Sequence, residues 1–138
     1  MDLSNEICAS LMEAAATARE HAYAPYSHFC VGAALLCADG RVFTGCNVEN
    51  AGLSATNCAE RTAVFKAVSE GARDFTAIAI VGGRQGELSP LCAPCGVCRQ
   101  VLAEFCPLHT PVILGTPSDF RISTLGDLLP LAFTPADL

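Results

Sequence analysis

The sequence predicts an α/β protein built as one mixed sheet with helices on both faces, in a single domain over residues 1–138. Three observations carry that reading. Segments with apolar residues at helical spacing alternate with short apolar runs bounded by turn residues, in the order α-β-β-α-β-α-β-β-α. Two neighbouring runs are separated only by a tight turn, which asks for an antiparallel pair. The chain has 138 residues, 51% of them hydrophobic, enough to bury roughly two thirds of the surface its unfolded form exposes.

Leu3, Ile7, Leu11, Ala14, Ala15 and Ala18 recur at helical spacing, so an amphipathic helix is expected from about Ser4 to His21. Tyr23 to Ser27, with Pro25, ends it. Val31 to Cys37 reads as a buried strand, Ala38-Asp39-Gly40 as a tight turn, and Arg41 to Glu49 as the hairpin partner. A second helix is expected from about Asn57 to Glu70, with Ala59, Ala63, Val64, Ala67 and Val68 on one face and Gly71 as its stop. Phe75 to Gly82 reads as a buried central strand. A polar loop with Gly83, Gly86 and Pro90 leads to a cysteine cluster, after which Val97, Val101, Leu102 and Phe105 mark a third helix closed by Pro107. Pro111 to Gly115 is a further buried strand, and Thr116-Pro117-Ser118 turns the chain back into an edge strand near Phe120 to Ser123. A last short helix covers Leu125 to Leu129.

The net charge of −6 and a pI near 4.8 leave no basic stripe to neutralise phosphates, so a small substrate is expected and no nucleic acid. Mean hydropathy is high at +0.40, yet no apolar run approaches the roughly 20 residues needed to cross a bilayer. No membrane partner is expected, and the surplus apolar surface suits burial between subunits. The first residues, MDLSNEICAS, lack the basic and then apolar order of a signal peptide, which points to the cytoplasm. Nine cysteines, an odd number, then read as thiols in a reducing compartment, with metal ligation as the leading use. Cys8, Cys30, Cys37 and Cys46 fall in apolar or alternating stretches, where a free Cys is usually a small core residue.

Cys92-Ala-Pro-Cys95-Gly-Val-Cys98 and the upstream Cys58-Ala-Glu60 are the chemical constellation. A redox CxxC should follow a strand near the chain start; this one comes late and has a third Cys beside it. A bacterial iron-sulfur run needs three residues before its last Cys, and seven precede Cys106 here. Structural zinc needs four closed ligands, which Cys58, Cys92, Cys95 and Cys98 could supply together. The ring of Pro94 suits instead a turn that carries only Cys95 and Cys98 to the metal. Three thiolates leave one tetrahedral position open, and an open position makes zinc catalytic. Cys58 and Glu60 are two apart, so they share a site only where a helix begins. Asn57 is the expected N-cap, and Asn57-x-x-Glu60 also fits a capping box, a purely structural role for the carboxylate. Beside three cysteines, Glu60 suits proton transfer. Arg61 and Arg99, each next to a ligand, either offset the thiolate charge or are exposed helix charges.

Cys58-Ala-Glu60-Arg61 with Pro94-Cys95-Gly-Val-Cys98-Arg99-Gln100 resembles the zinc-dependent cytidine deaminases, the small homotetrameric type of the cytidine/deoxycytidylate deaminase family. The likeness extends through Tyr26-Ser27-His28-Phe29, Val31-Gly32-Ala33-Ala34, Gly45-Cys46-Asn47-Val48-Glu49-Asn50-Ala51 and Leu128-Leu129-Pro130-Leu131-Ala132-Phe133. It implies a three-layer fold on a mixed five-stranded sheet, with one zinc ion per subunit on Cys58, Cys95 and Cys98. It implies hydrolytic deamination of cytidine and 2′-deoxycytidine to uridine and 2′-deoxyuridine, in pyrimidine salvage. Hydroxide generated at zinc attacks C4, Glu60 shuttles protons to N3 and to the departing amine, and ammonia leaves. By the same resemblance Asn47 and Glu49 hydrogen-bond the ribose hydroxyls, Phe29 packs on the base, and Ala59 lies against the substrate. A buried carboxylate at Glu49 would disfavour phosphorylated sugars.

The chain departs from the pattern at Leu53, where the family often has an aromatic residue that reaches a neighbour's site. With Phe133 closing a neighbour's pocket, the resemblance implies a homotetramer whose sites are shared between subunits. Two other readings stay open: a deaminase of a modified cytosine nucleoside such as blasticidin S, and a zinc-stabilised binding module without turnover. Asn47, Glu49 and Phe133 favour plain cytidine over the first, and the ligation of Cys92 decides the second.

Overall fold

The computed structural model describes residues 3–138. Ser4 is extended, and its hydroxyl accepts a hydrogen bond from the Ile7 N–H at 3.1 Å, so α1 (Asn5–Ala18) starts on a side-chain cap. The helical pattern continues past Ala18 only as a tighter 3₁₀ turn, Arg19–His21. Then come β1 (Phe29–Cys37), β2 (Val42–Cys46), α2 (Ala59–Ser69), β3 (Phe75–Arg84), α3 (Gly96–Phe105), β4 (Pro111–Thr116), β5 (Asp119–Thr124) and α4 (Leu125–Leu128).

The five strands form one sheet in the order β2-β1-β3-β4-β5. β1 pairs antiparallel with β2 and with β3, β4 runs parallel to β3, and β5 is the antiparallel edge. The sheet is therefore mixed, as expected. Gly40, at φ 94, takes the left-handed position in the β1–β2 turn. The expected second strand of the hairpin is shorter than its apolar and polar alternation suggests. Past Cys46, Val48 leaves the ladder for single bridges to Tyr23 and Asn57, so Asn47 and Glu49 line a cavity instead of extending an edge.

Both faces of the sheet are buried, by alternate residues of the same strands. Ala34, Leu36, Ala77, Ala79, Val81 and Ile113 pack under Cys8, Leu11, Met12 and Ala15 of α1. Ala33, Leu35, Ile78, Ile80, Val112 and Leu114 pack on the other face under Ala59, Ala63, Val64 and Ala67 of α2 and Leu102 of α3. This is the expected layer of helix on either side. Small residues bring α2 close: a Cβ on Gly45 of β2 would lie 2.5 Å from both Ala59 O and Ala63 N. The start of α2 is thereby seated directly on the hairpin.

Candidate active site

Two helices begin at the same place, and both begin on a cysteine. Cys58 is the N-cap of α2 and Cys95 that of α3, each in extended conformation with no side-chain cap hydrogen bond. An expected feature fails here. Asn57 is not the cap, because its amide donates to Thr62 Oγ1 at 3.1 Å, and Glu60 closes no capping box. Shifting the cap by one residue places the Cys58 thiol at the helix end, where the dipole favours a thiolate.

Cys58 Sγ lies 3.7 Å from Cys95 Sγ, which lies 3.5 Å from Cys98 Sγ. Among the described residues, these three form the one group of three or more His, Cys, Asp or Glu side chains close enough to share a metal. A tetrahedral zinc ion with sulfurs at about 2.3 Å sets those sulfurs about 3.8 Å apart. The thiol cluster fits one zinc. Cys92 does not join it: its thiol packs over Gly82, where an added Cβ would meet Cys92 Sγ at 2.5 Å. A closed four-thiolate site is therefore not what the chain builds.

Arg61 donates to Cys58 Sγ at 3.1 Å. The Cys58 thiol is pushed down to about 5, first by its hydrogen bond with Cys98 and then, against burial, by Arg61 and Cys95. Cys98 is pushed up by that same bond and by burial. Arg99 behaves differently from its neighbour in the motif. Its guanidinium donates to Pro94 O at 2.7 Å and Leu128 O at 2.6 Å, so it braces the cysteine turn and does not face a thiol. Gln100 likewise donates to Phe133 O at 2.8 Å.

Glu60 is 4% exposed. Burial pushes its carboxyl up to about 7, helped by the Cys58 charge and opposed by its own N–H, Cys98 and Arg61. A cavity of about 290 Å³ is lined by Phe29, Asn47, Glu49, Cys58, Ala59, Glu60 and Cys95. Every expected metal or substrate residue within one chain reaches it or the cluster beside it. Leu53 and Phe133 do not: they are 79% and 59% exposed and lie outside this cavity.

The polar wall is built on the backbone of β1. Asn47 accepts from Val31 N–H and donates to Phe29 O, both at 2.8 Å. Glu49 accepts from the N–H groups of Tyr26 and Ser27 at 3.0 and 3.1 Å and from the Ser27 hydroxyl. Those bonds, Ser27 Oγ first, hold the Glu49 carboxyl below its usual range. Glu49 is partly buried, not buried as expected, since its turn is at the surface. Sequence reasoning missed Ser27, Val31, Thr56, Asn57, Cys92 and Ala93 in the cavity wall. Strand alternation places Val31 on the same face as Phe29 and signals that one; long-range bridges bring in the polar others.

The model for the cytidine and deoxycytidylate deaminase zinc-binding region matches residues 6–114. A cytidine deaminase of Sporosarcina psychrophila is 55% identical over 122 residues, 88% of this chain and 87% of that one. One from Halalkalibacterium halodurans is 54% identical over 129 residues, 93% and 95% of the two chains. The crystal structure of cytidine deaminase from Burkholderia pseudomallei superposes with a TM-score of 0.83 at 51% identity, covering 95% of this chain and all of that one. The likeness thus runs past the zinc-binding stretch to nearly the whole length of both chains, and the chain belongs to the cytidine deaminase family.

Proposed function

We propose that this protein hydrolyses cytidine and 2′-deoxycytidine to uridine and 2′-deoxyuridine, releasing ammonia, as a step of pyrimidine salvage. One observation carries the reading: a buried carboxyl and a three-thiol metal cluster open into the same cavity as Phe29, Asn47 and Glu49. Cys58, Cys95 and Cys98 hold one zinc ion per chain. Bound zinc supplies Lewis acidity that makes a nucleophile of water near neutral pH. With its pKa brought to about 7, Glu60 is poised to take one proton from water and pass it to ring N3, then to take a second from the hydroxyl now on C4 and pass it to the departing 4-amino nitrogen. Arg61, on the Cys58 sulfur, offsets the net negative charge of three thiolates around a divalent ion. Phe29 and Ala59 provide apolar wall for the base, and Asn47 and Glu49 meet the sugar hydroxyls.

Leu53 and Phe133 act across subunit boundaries in a homotetramer. In support, the cavity is at the small end of ligand pockets, and both side chains project from their own chain. The nine free cysteines suit the reducing cytoplasm. The test is the ultraviolet spectrum of cytidine with zinc-loaded protein. Cytidine should be consumed, and Glu60→Ala should lower kcat by roughly 10²- to 10⁴-fold. No loss of cytidine overturns the reading; an unimpaired variant removes Glu60 from proton transfer.

A further inference from the structure

The turn before β1 is organised around one carboxylate. Tyr23 bridges to the 47–49 segment through Tyr23 N–H to Asn47 O at 3.0 Å and Glu49 N–H to Tyr23 O at 2.8 Å. Three donors then converge on the Glu49 side chain, two backbone N–H groups on Oε1 and the Ser27 hydroxyl on Oε2. The same hydroxyl accepts the Phe29 N–H at 3.0 Å. Between them His28 sits at φ 59, a left-handed conformation uncommon for a residue with a side chain. It is held there by His28 N–H to Ala24 O at 3.0 Å and Gln85 N–H to His28 O at 2.9 Å. Ser27, Phe29 and Glu49 all line the cavity.

A carboxylate offers about four lone-pair sites, and three are taken by these donors. What remains toward the cavity accepts one hydrogen and offers none. A sugar hydroxyl fits that vacancy in the hydrogen-bond pattern, whereas a phosphate brings only acceptors and like charge. The direction of the remaining lone pair depends on Oε2, and Oε2 is held by Ser27 alone. Without the hydroxyl, the carboxylate can rotate about Oε1, and the Phe29 N–H at the start of β1 loses its acceptor.

We propose that Ser27 is a positioning residue for sugar recognition, its hydroxyl aiming the Glu49 carboxylate. This rests on the cytidine reading above. The role lies in binding, so it separates from chemistry at Glu60. In zinc-loaded protein, Ser27→Ala should raise KM for cytidine roughly 10-fold with kcat within about 3-fold. The penalty should shrink to about 2-fold or less for 2′,3′-dideoxycytidine, which lacks the hydroxyls Glu49 would meet. Ser27→Thr, which keeps the hydroxyl, should recover most of the KM. In a Glu49→Gln background, the further effect of Ser27→Ala should be small, because the two act as one unit. An equal penalty on both nucleosides, or a fall in kcat at unchanged KM, overturns the inference while leaving the cytidine reading in place. Wild type that neither binds uridine by calorimetry nor turns over cytidine overturns that reading and this inference with it.

Discussion

Cys92 and Cys98 have the same side chain and opposite fates, decided by where the backbone takes them. Cys98 enters the first turn of α3, within 3.5 Å of Cys95 Sγ. Cys92 precedes the buried Pro94 and rests against Gly82, and burial pushes its thiol up to about 11. Its sulfur stands outside the group of three that lie within reach of one ion. Cys92→Ser should therefore retain one zinc per chain, whereas Cys98→Ser should weaken zinc binding by more than about 100-fold, above the loss typical of a residue behind a ligand. Metal analysis after dialysis against a graded chelator checks both; zinc lost equally from the two variants would place Cys92 on the metal. From the sequence, Pro94 already argued for this separation, and the three ligands were legible as a set. The direction taken by an arginine was not. Arg61 stands three positions after Cys58 and reaches its sulfur, whereas Arg99, directly after Cys98, finds the carbonyls of Pro94 and Leu128, and Leu128 is distant in the chain.

At the scale of elements, the position of the site follows from the seating of α2 on β2. Gly45 leaves room for the backbone of Ala59 and Ala63, the turn of helix that carries Cys58 and Glu60. Gly45→Ala should cost roughly 2 kcal/mol or more of stability, because backbone on both sides must shift. It should also lower activity in the molecules that remain folded. Urea unfolding read beside cytidine turnover tests this, and an unaltered midpoint would mean that the helix moves without cost. Strands and helices were legible because alternation and helical spacing register burial on one face or both. Boundaries were less so. Asn57-x-x-Glu60 is a good capping pattern, but the same residues accommodate a cap at Cys58 once Asn57 turns to Thr62. The 47–49 segment reads as continued strand, and only its bridges to Tyr23 and Asn57, remote in sequence, pull it away. Nothing local in the sequence marks the role of Ser27, since its partner Glu49 lies 22 positions on.

For the whole molecule, several large apolar side chains of one chain lie in water, among them Tyr23, Leu53, Val97, Leu131 and Phe133. Sedimentation should accordingly give a mass near four chains of 14.4 kDa, and Phe133→Ala should raise KM several-fold. A fully active monomer would defeat the shared wall. The tail that carries Phe133 is also tied to α3 through Gln100. A last consequence concerns the order of events in making the protein. Cys58 and Cys95 are 37 positions apart, with all of β3 between them. A chain emerging from the ribosome as far as α2 holds a single one of the three sulfurs. The complete set of sulfurs comes together only as α3 docks beside α2, so zinc binding and the docking of these two helices stabilise one another.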